Sequence, residues 1–147
     1  MDFLRHWENE RVFDYLVGIP GVARKTAFCI MLYSLDRQVF PVDTHVWRVC
    51  RRLGWTPPVP KPSGVQEREL EALIPRELRY SLHVNMVAHG RTICLVYWPK
   101  CEVCPLKNVC PSSGQPDLIW GRWRRPGGAW ARAVSEPGGE PSSQVAA

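Results

Sequence analysis

Residues 16–43 read LVGIPGVARKTAFCIMLYSLDRQVFPVD, and the fold is organised around this stretch. A turn with two glycines and a proline, Gly18 to Gly21, separates two segments whose apolar residues recur at helical spacing. Glycine tolerates a positive φ angle, and proline has no backbone N–H. We therefore expect Gly18 and Gly21 at positive φ, with free N–H groups at the start of the next helix. Such groups bind phosphate, so the stretch predicts a phosphate-binding helical hairpin.

Helical patterns continue on both sides of this hairpin. Asn9, Asp43 and Ser63 are expected helix N-caps, and Gly54 and Gly90 are expected helix ends. The predicted helices cover about residues 2–8, 9–16, 22–33, 44–53, 63–73 and 76–89. A proline-rich surface connection is expected at residues 56–62. No segment favours a β-strand, so the predicted fold class is all-α.

The charge of the chain favours an anionic partner. The 147 residues carry a formal net charge of +5 and a pI of about 9.1, which suits nucleic acid but also a mildly basic protein of another kind. The hydrophobic fraction of 45% is enough for one packed domain. No apolar run reaches membrane-spanning length, and charged residues interrupt the N-terminus, so we expect an intracellular protein without a membrane partner.

Four of the six cysteines form a tight cluster with the pattern C-x6-C-x2-C-x5-C. Four thiolates in one short loop can bind a [4Fe–4S] cluster or a Zn²⁺ ion, and the spacing alone leaves both open. The clustered cysteines are Cys94, Cys101, Cys104 and Cys110. The two others, Cys29 and Cys50, lie in apolar helical segments and are expected core residues.

Three motifs carry a family resemblance. The run GIPGVARKTA at residues 18–27, followed by VDTH at residues 42–45, resembles the helix-hairpin-helix and catalytic signature of the endonuclease III-like DNA glycosylases. The cysteine spacing, preceded by HGR at residues 89–91, is similar to the iron–sulfur loop of that family. Ala23 stands where the family usually has glycine, and we expect it at a helical position that tolerates a methyl group.

The resemblance implies the helix-hairpin-helix glycosylase fold, here an incomplete helical barrel with a C-terminal iron–sulfur loop. It covers roughly residues 9–112 and corresponds to the C-terminal part of the family. It predicts a partial glycosylase domain over residues 1–110, with the cluster loop at 94–110. The many Gly, Pro and Ser residues after Cys110 predict a disordered tail over 111–147. A missing N-terminal half or a partner chain is expected to complete the barrel. The cofactor implied is [4Fe–4S], with zinc as the alternative.

The implied activity is excision of damaged or modified bases from double-stranded DNA, followed by AP lyase cleavage (β-elimination) at the abasic site. Lys25 would be the nucleophile that forms a Schiff base at the sugar C1′. Asp43 would be its acid–base partner and would stabilise the positive charge that develops on the sugar. A solvated lysine and a simple N-cap aspartate are the structural alternatives. The functional alternative is an inactive, truncated DNA-binding iron–sulfur module.

The resemblance also implies DNA contacts. The backbone N–H groups of Gly18, Gly21 and Ala23 would hold a phosphate, and Arg91 and Lys100 would add phosphate contacts.

Two further features separate this chain from the general family pattern. In the loop LVYWPK, residues 95–100, only Lys100 is charged, whereas the family loop is usually basic; we expect Tyr97 and Trp98 to pack on the cluster or on helices. VFPVDT at residues 39–44 and RLGW at 52–55 are similar to the Demeter-like branch, which removes 5-methylcytosine in plants.

Overall fold

The computed structural model describes residues 2–114, which are helical and contain no β-strand. Five α-helices follow one another: α1 Asn9–Val17, α2 Arg24–Tyr33, α3 Thr44–Arg52, α4 Gly64–Leu73 and α5 Arg79–Thr92. Short 3-10 helices lie at Asp2–His6, Arg76–Leu78 and Cys101–Val103. The all-α prediction is confirmed for these residues. The predicted disordered tail lies outside the described residues from position 115 onward. None of the described helices is long and apolar enough to cross a membrane.

The helices α1 and α2 pack against each other and form the N-terminal core. Its buried residues are Leu4, Val12, Leu16, Ala27, Met31, Leu32 and Val39. Arg37 connects the N-terminal segment to the end of α2. Its guanidinium donates to the Asn9 side chain at 2.6 Å and to the carbonyl of Leu4 at 2.7 Å. Asn9 therefore bonds Arg37 as the first residue of α1. The predicted N-cap role of Asn9 is wrong, since Glu8 occupies that position.

The helices α3, α4 and α5 form the C-terminal core. Its buried residues are Phe40, Val46, Trp47, Val49, Cys50, Leu70, Ile74 and Met86. The Trp47 indole donates to the Val59 carbonyl at 3.0 Å and fixes the proline-rich connection to the core. Ser63 and Gln66 form a complete capping box at the start of α4, which confirms the predicted cap.

The close approach of α3 and α5 depends on Gly90 and Arg48. A Cβ atom at Gly90 would lie 2.9 Å from the His45 Cβ, so only glycine allows this spacing. The buried Arg48 guanidinium donates to the carbonyls of Gly90 at 2.7 Å and Cys94 at 3.0 Å. The prediction that Gly90 ends its helix is wrong, because α5 continues to Thr92. Gly90 serves a contact between helices rather than a stop.

The two cores meet at residues 34–43, the connection between α2 and α3. Val39 belongs to the N-terminal core and the next residue, Phe40, to the C-terminal core. Two side chains of α5 hold this connection. Arg79 donates to the Gln38 carbonyl at 2.6 Å, and the His83 Nδ1–H donates to the Pro41 carbonyl at 2.9 Å. The backbone leading into Asp43 is thereby fixed on the C-terminal core.

Candidate active site and cysteine pocket

Asp43 caps the N-terminus of α3, as predicted. Its Oδ1 accepts hydrogen bonds from the backbone N–H groups of His45 at 2.9 Å and Val46 at 2.8 Å. The Asp43 side chain is only 8% exposed. A buried carboxylate held by two N–H donors has a fixed direction, so its second oxygen is available to a partner.

That partner is Lys25, in the first turn of α2. The Lys25 Nζ lies 4.0 Å from the Asp43 Oδ2, and the Lys25 side chain is 57% exposed. The distance is longer than a hydrogen bond and corresponds to an ion pair. The structure therefore brings the two predicted site residues together, one from each core. An accessible amine faces a fixed, largely buried carboxylate.

Three side chains around this pair were not predicted from the sequence. Burial raises the pKa of Tyr33, and the Asp43 carboxylate raises it further. Burial lowers the pKa of His83. The Asp43 charge raises this pKa and the Lys25 charge lowers it, both by less than burial does. Burial raises the pKa of the Cys29 thiol, the Lys25 charge lowers it, and the Asp43 charge raises it. The usable signal was the spacing of Lys25, Cys29 and Tyr33, because residues four apart share one face of a helix. Cys29 is half-buried here and is not part of either core, unlike Cys50.

The hairpin between α1 and α2 agrees only in part with the prediction. Gly21 has φ +86°, as expected, but Gly18 has φ −70°. The Gly18 N–H donates to the Asp14 carbonyl at 3.1 Å and so is not available to a phosphate. Ala23 is extended rather than helical, with φ −81° and ψ 165°, a conformation open to any residue. Among the described residues, no hydrogen bond is recorded from the N–H groups of Gly21 or Ala23.

The four clustered cysteines line one pocket between the end of α3, the end of α5 and the segment that follows α5. Most of the accessible surface of the pocket is apolar, with Leu53, Ile93, Pro99 and Leu106 in its lining, and the basic Arg52, Lys100 and Lys107 line it as well. Arg52 donates to the Cys94 Sγ at 3.1 Å. Burial raises the pKa of the Cys110 thiol, and the other three thiols raise it further. Four sulfur donors in an apolar pocket, one of them bonded to a guanidinium, fit a thiolate-bound metal group.

A single-ion site is not preformed in the described residues. Within positions 2–114, no three His, Cys, Asp or Glu side chains are arranged to hold one metal ion. His89 lies beside the pocket, with its Nε2 3.7 Å from the Cys104 Sγ.

The surface near the pocket is aromatic as well as basic. Arg91 and Lys100 are exposed, as a DNA contact requires. Tyr97 is 53% exposed and Trp98 44% exposed. About half of each residue is therefore covered by protein, and packing of the two rings on the cluster or on neighbouring helices stays a prediction.

Sequence comparison finds relatives that are longer than this chain. No protein-family model matches. The protein ROS1A of Oryza sativa subsp. japonica is 34% identical over 126 residues, which is 75% of this chain and 6% of that protein. Endonuclease III of Thermotoga maritima is 40% identical over 99 residues, which is 66% of this chain and 45% of that protein. The chain thus spans less than half the length of both relatives.

Two solved structures with the same fold are complexes of endonuclease III with DNA. A non-covalent endonuclease III–DNA complex matches with a TM-score of 0.62 and 34% identity, over 74% of this chain and 50% of that chain. A trapped covalent endonuclease III–DNA intermediate matches with a TM-score of 0.63 and 35% identity, over 73% and 50%. These matches confirm the predicted helix-hairpin-helix glycosylase fold, whereas the iron–sulfur loop expected with it stays a prediction.

Proposed function

We propose that this chain, a homologue of the endonuclease III-like and Demeter-like DNA glycosylases over about three quarters of its length, excises damaged or modified bases from duplex DNA and cleaves the resulting abasic site. One observation carries the proposal: an exposed lysine amine 4.0 Å from a buried, doubly hydrogen-bonded carboxylate. An ordinary solvated lysine has no need of such a partner.

The chemistry begins with loss of a proton from the Lys25 ammonium, which the Asp43 carboxylate can accept. The neutral amine attacks C1′ of an extruded nucleotide while the C1′–N bond breaks, and the base leaves with the bonding electrons and takes up a proton. The proton held by Asp43 can pass to this leaving base, and the carboxylate that is thereby restored stabilises the positive charge that develops on the sugar. The amine adduct then opens to a Schiff base, and removal of a C2′ proton expels the 3′ phosphate.

DNA is held by groups around this pair. The N–H groups of Gly21 and Ala23 are proposed to bind one phosphate at the start of α2, one residue before Arg24. Arg91 and Lys100 are proposed to bind further phosphates. The formal charge of +5 supports an anionic partner but carries no sequence preference.

The clustered cysteines are proposed to ligate a [4Fe–4S] cluster, which would keep the segment after α5 folded. Support comes from the spacing, the shared apolar pocket and the Arg52 contact with Cys94. The test is an iron assay with a visible spectrum of anaerobically purified protein. We expect about four irons per chain with broad brown absorbance, lost in Cys101→Ser and kept in Cys29→Ala. Bound zinc without iron would contradict the cluster.

The activity is tested by borohydride trapping on an abasic duplex. Wild-type protein should form a covalent adduct, and Lys25→Ala should form none while still binding the duplex. Lys61→Ala removes an exposed lysine from the proline-rich connection and should trap normally. An adduct with Lys25→Ala would exclude this lysine as the nucleophile. Because the chain spans about half of the matched structures, binding with iron but no adduct would favour the inactive DNA-binding module.

A further inference from the structure

We infer that Tyr33 and Tyr80 form an aromatic wall that contacts the extruded base and contributes to the choice of base; this inference rests on the proposed function. Neither residue belongs to the hairpin, the Lys25–Asp43 pair or the cysteine pocket. The occupant is a flat, aromatic nucleobase attached to the sugar on which Lys25 acts.

The two tyrosines come from different helices and touch edge to face. Tyr33 ends α2 and Tyr80 lies in the first turn of α5, with ring centroids 5.8 Å apart and an interplanar angle of 79°. Each residue is 48% exposed. Half of each side chain is thus braced by protein, and the other half is open to a ligand.

A buried histidine packs against one ring of the wall. The His83 ring lies 5.7 Å from the Tyr33 ring, is only 2% exposed, and is bonded through Nδ1 to the Pro41 carbonyl. Pro41 is two residues before Asp43. The aromatic wall and the candidate carboxylate are therefore held by the same segment of backbone.

The wall lies beside the reacting groups rather than elsewhere on the surface. Tyr33 follows Lys25 by about two helical turns on the same face of α2. The Asp43 carboxylate raises the pKa of Tyr33, and the Arg91 guanidinium lowers it, so both charges lie within electrostatic reach of the phenol. Tyr33 is thus close enough to the candidate carboxylate and to the exposed Arg91 to feel both charges.

This combination suits a nucleotide better than a purely apolar partner. Stacking of a base on an aromatic side chain contributes about 1–3 kcal/mol. The phenol hydroxyls can donate to or accept from the edge of a base, which gives a means of discrimination. The exposed Arg91 can take a flanking phosphate, as proposed above.

The test measures binding of the protein to DNA duplexes of one sequence that differ only at the target nucleotide. One carries a tetrahydrofuran abasic analogue, which has no base. The others carry 5-methylcytosine or 5-hydroxyuracil on a 2′-fluorinated sugar that resists cleavage. The Tyr33→Ala/Tyr80→Ala double variant should bind the base-bearing duplex preferred by wild type about 10-fold or more weakly, and the abasic duplex within about twofold, because about 1.4 kcal/mol of stacking corresponds to tenfold.

Two controls separate stacking from other effects. Tyr15→Ala removes a 41% exposed tyrosine whose ring partners are Phe3 and Trp7, and it should change neither affinity. The Tyr33→Phe/Tyr80→Phe double variant should keep most of the affinity but shift the preference between the two bases.

The remaining outcomes would contradict either the aromatic wall or the proposed function. The double variant could lose affinity for both duplexes equally, or lose many degrees of thermal stability. Either result would make the wall a packing surface for another protein segment and would overturn the inference. No change in either affinity would overturn it as well. If wild-type protein binds none of these duplexes better than undamaged DNA, the proposed function itself fails.

Discussion

At the scale of single residues, the two oxygens of Asp43 have different partners, and the proposed function gives them different tasks. Oδ1 caps α3 through two N–H donors, and Oδ2 faces the Lys25 amine. The two tasks can be separated by substitution, because an amide keeps the cap oxygen but loses the charge.

Asp43→Asn should therefore retain the fold and lose the reaction. The Asn oxygen can still accept from His45 and Val46, so the free energy of unfolding should stay within about 0.5 kcal/mol of wild type. Asp43→Ala should lose about 1 kcal/mol or more as the cap disappears. Denaturant unfolding beside borohydride trapping measures both effects. Full trapping by Asp43→Asn would show that the charge is not needed.

His83 should make stability depend on pH. Burial lowers its pKa in the folded chain, so as pH falls below the ordinary histidine value the unfolded chain binds a proton first. Unfolding free energy should then fall between pH 7.5 and 5.5. His83→Asn should reduce that fall, whereas substitution of the exposed His6 should not. An unchanged pH dependence in His83→Asn would contradict this assignment.

At the scale of helices, the contact between α3 and α5 fixes the position of the Asp43 cap. Gly90→Ala would place a methyl group 2.9 Å from the His45 Cβ and 3.2 Å from the Arg48 Nη2. We expect a loss of about 1–3 kcal/mol in thermal or denaturant unfolding. Gly64→Ala is the matched control, since its Cβ would meet Arg24 and Arg68 at an ordinary 3.7 Å. Equal stability of the two variants would argue against the close approach.

The helices also show what sequence could predict. The caps at Asp43 and Ser63 were predictable because each signal lies within four residues of the chain. Gly90 was misread as a helix end because its partner, His45, is distant in sequence and close only in the fold. The helical spacing from Lys25 could have indicated Tyr33, but its ring partner Tyr80 comes from another helix and could not be inferred from the sequence.

The candidate site was predictable to a similar degree. Lys25 and Asp43 stood out through their motifs, but their separation depends on how the two cores meet. Gly18 shows the opposite case: its residue type suited a positive φ, yet the N–H completes the last turn of α1 instead. Local signals identified the residues, and tertiary packing decided their roles.

At the scale of the whole molecule, the segment after α5 contributes little to either core. None of the described residues 91–114 is fully buried, and Val103 and Val109 are 70% and 73% exposed. A group bound by the four cysteines would therefore supply much of its order.

Removal of that group should loosen this segment selectively. After treatment with an iron chelator, trypsin should cleave after Lys100 and Lys107 at least about tenfold faster, while most of the helical circular dichroism remains, because local opening here leaves the cores packed. Untreated protein and the Cys29→Ala variant serve as controls. Equal cleavage before and after chelation would show that bound metal does not order the segment.

The boundary between Val39 and Phe40 has a consequence for evolution. Lys25 is carried by the N-terminal core and Asp43 by the C-terminal core, and each core packs largely within itself. A substitution inside one core can shift one member of the pair while leaving its neighbour's surroundings intact. Selection can therefore change the separation of Lys25 and Asp43 gradually in descendants of this sequence, without replacing either residue.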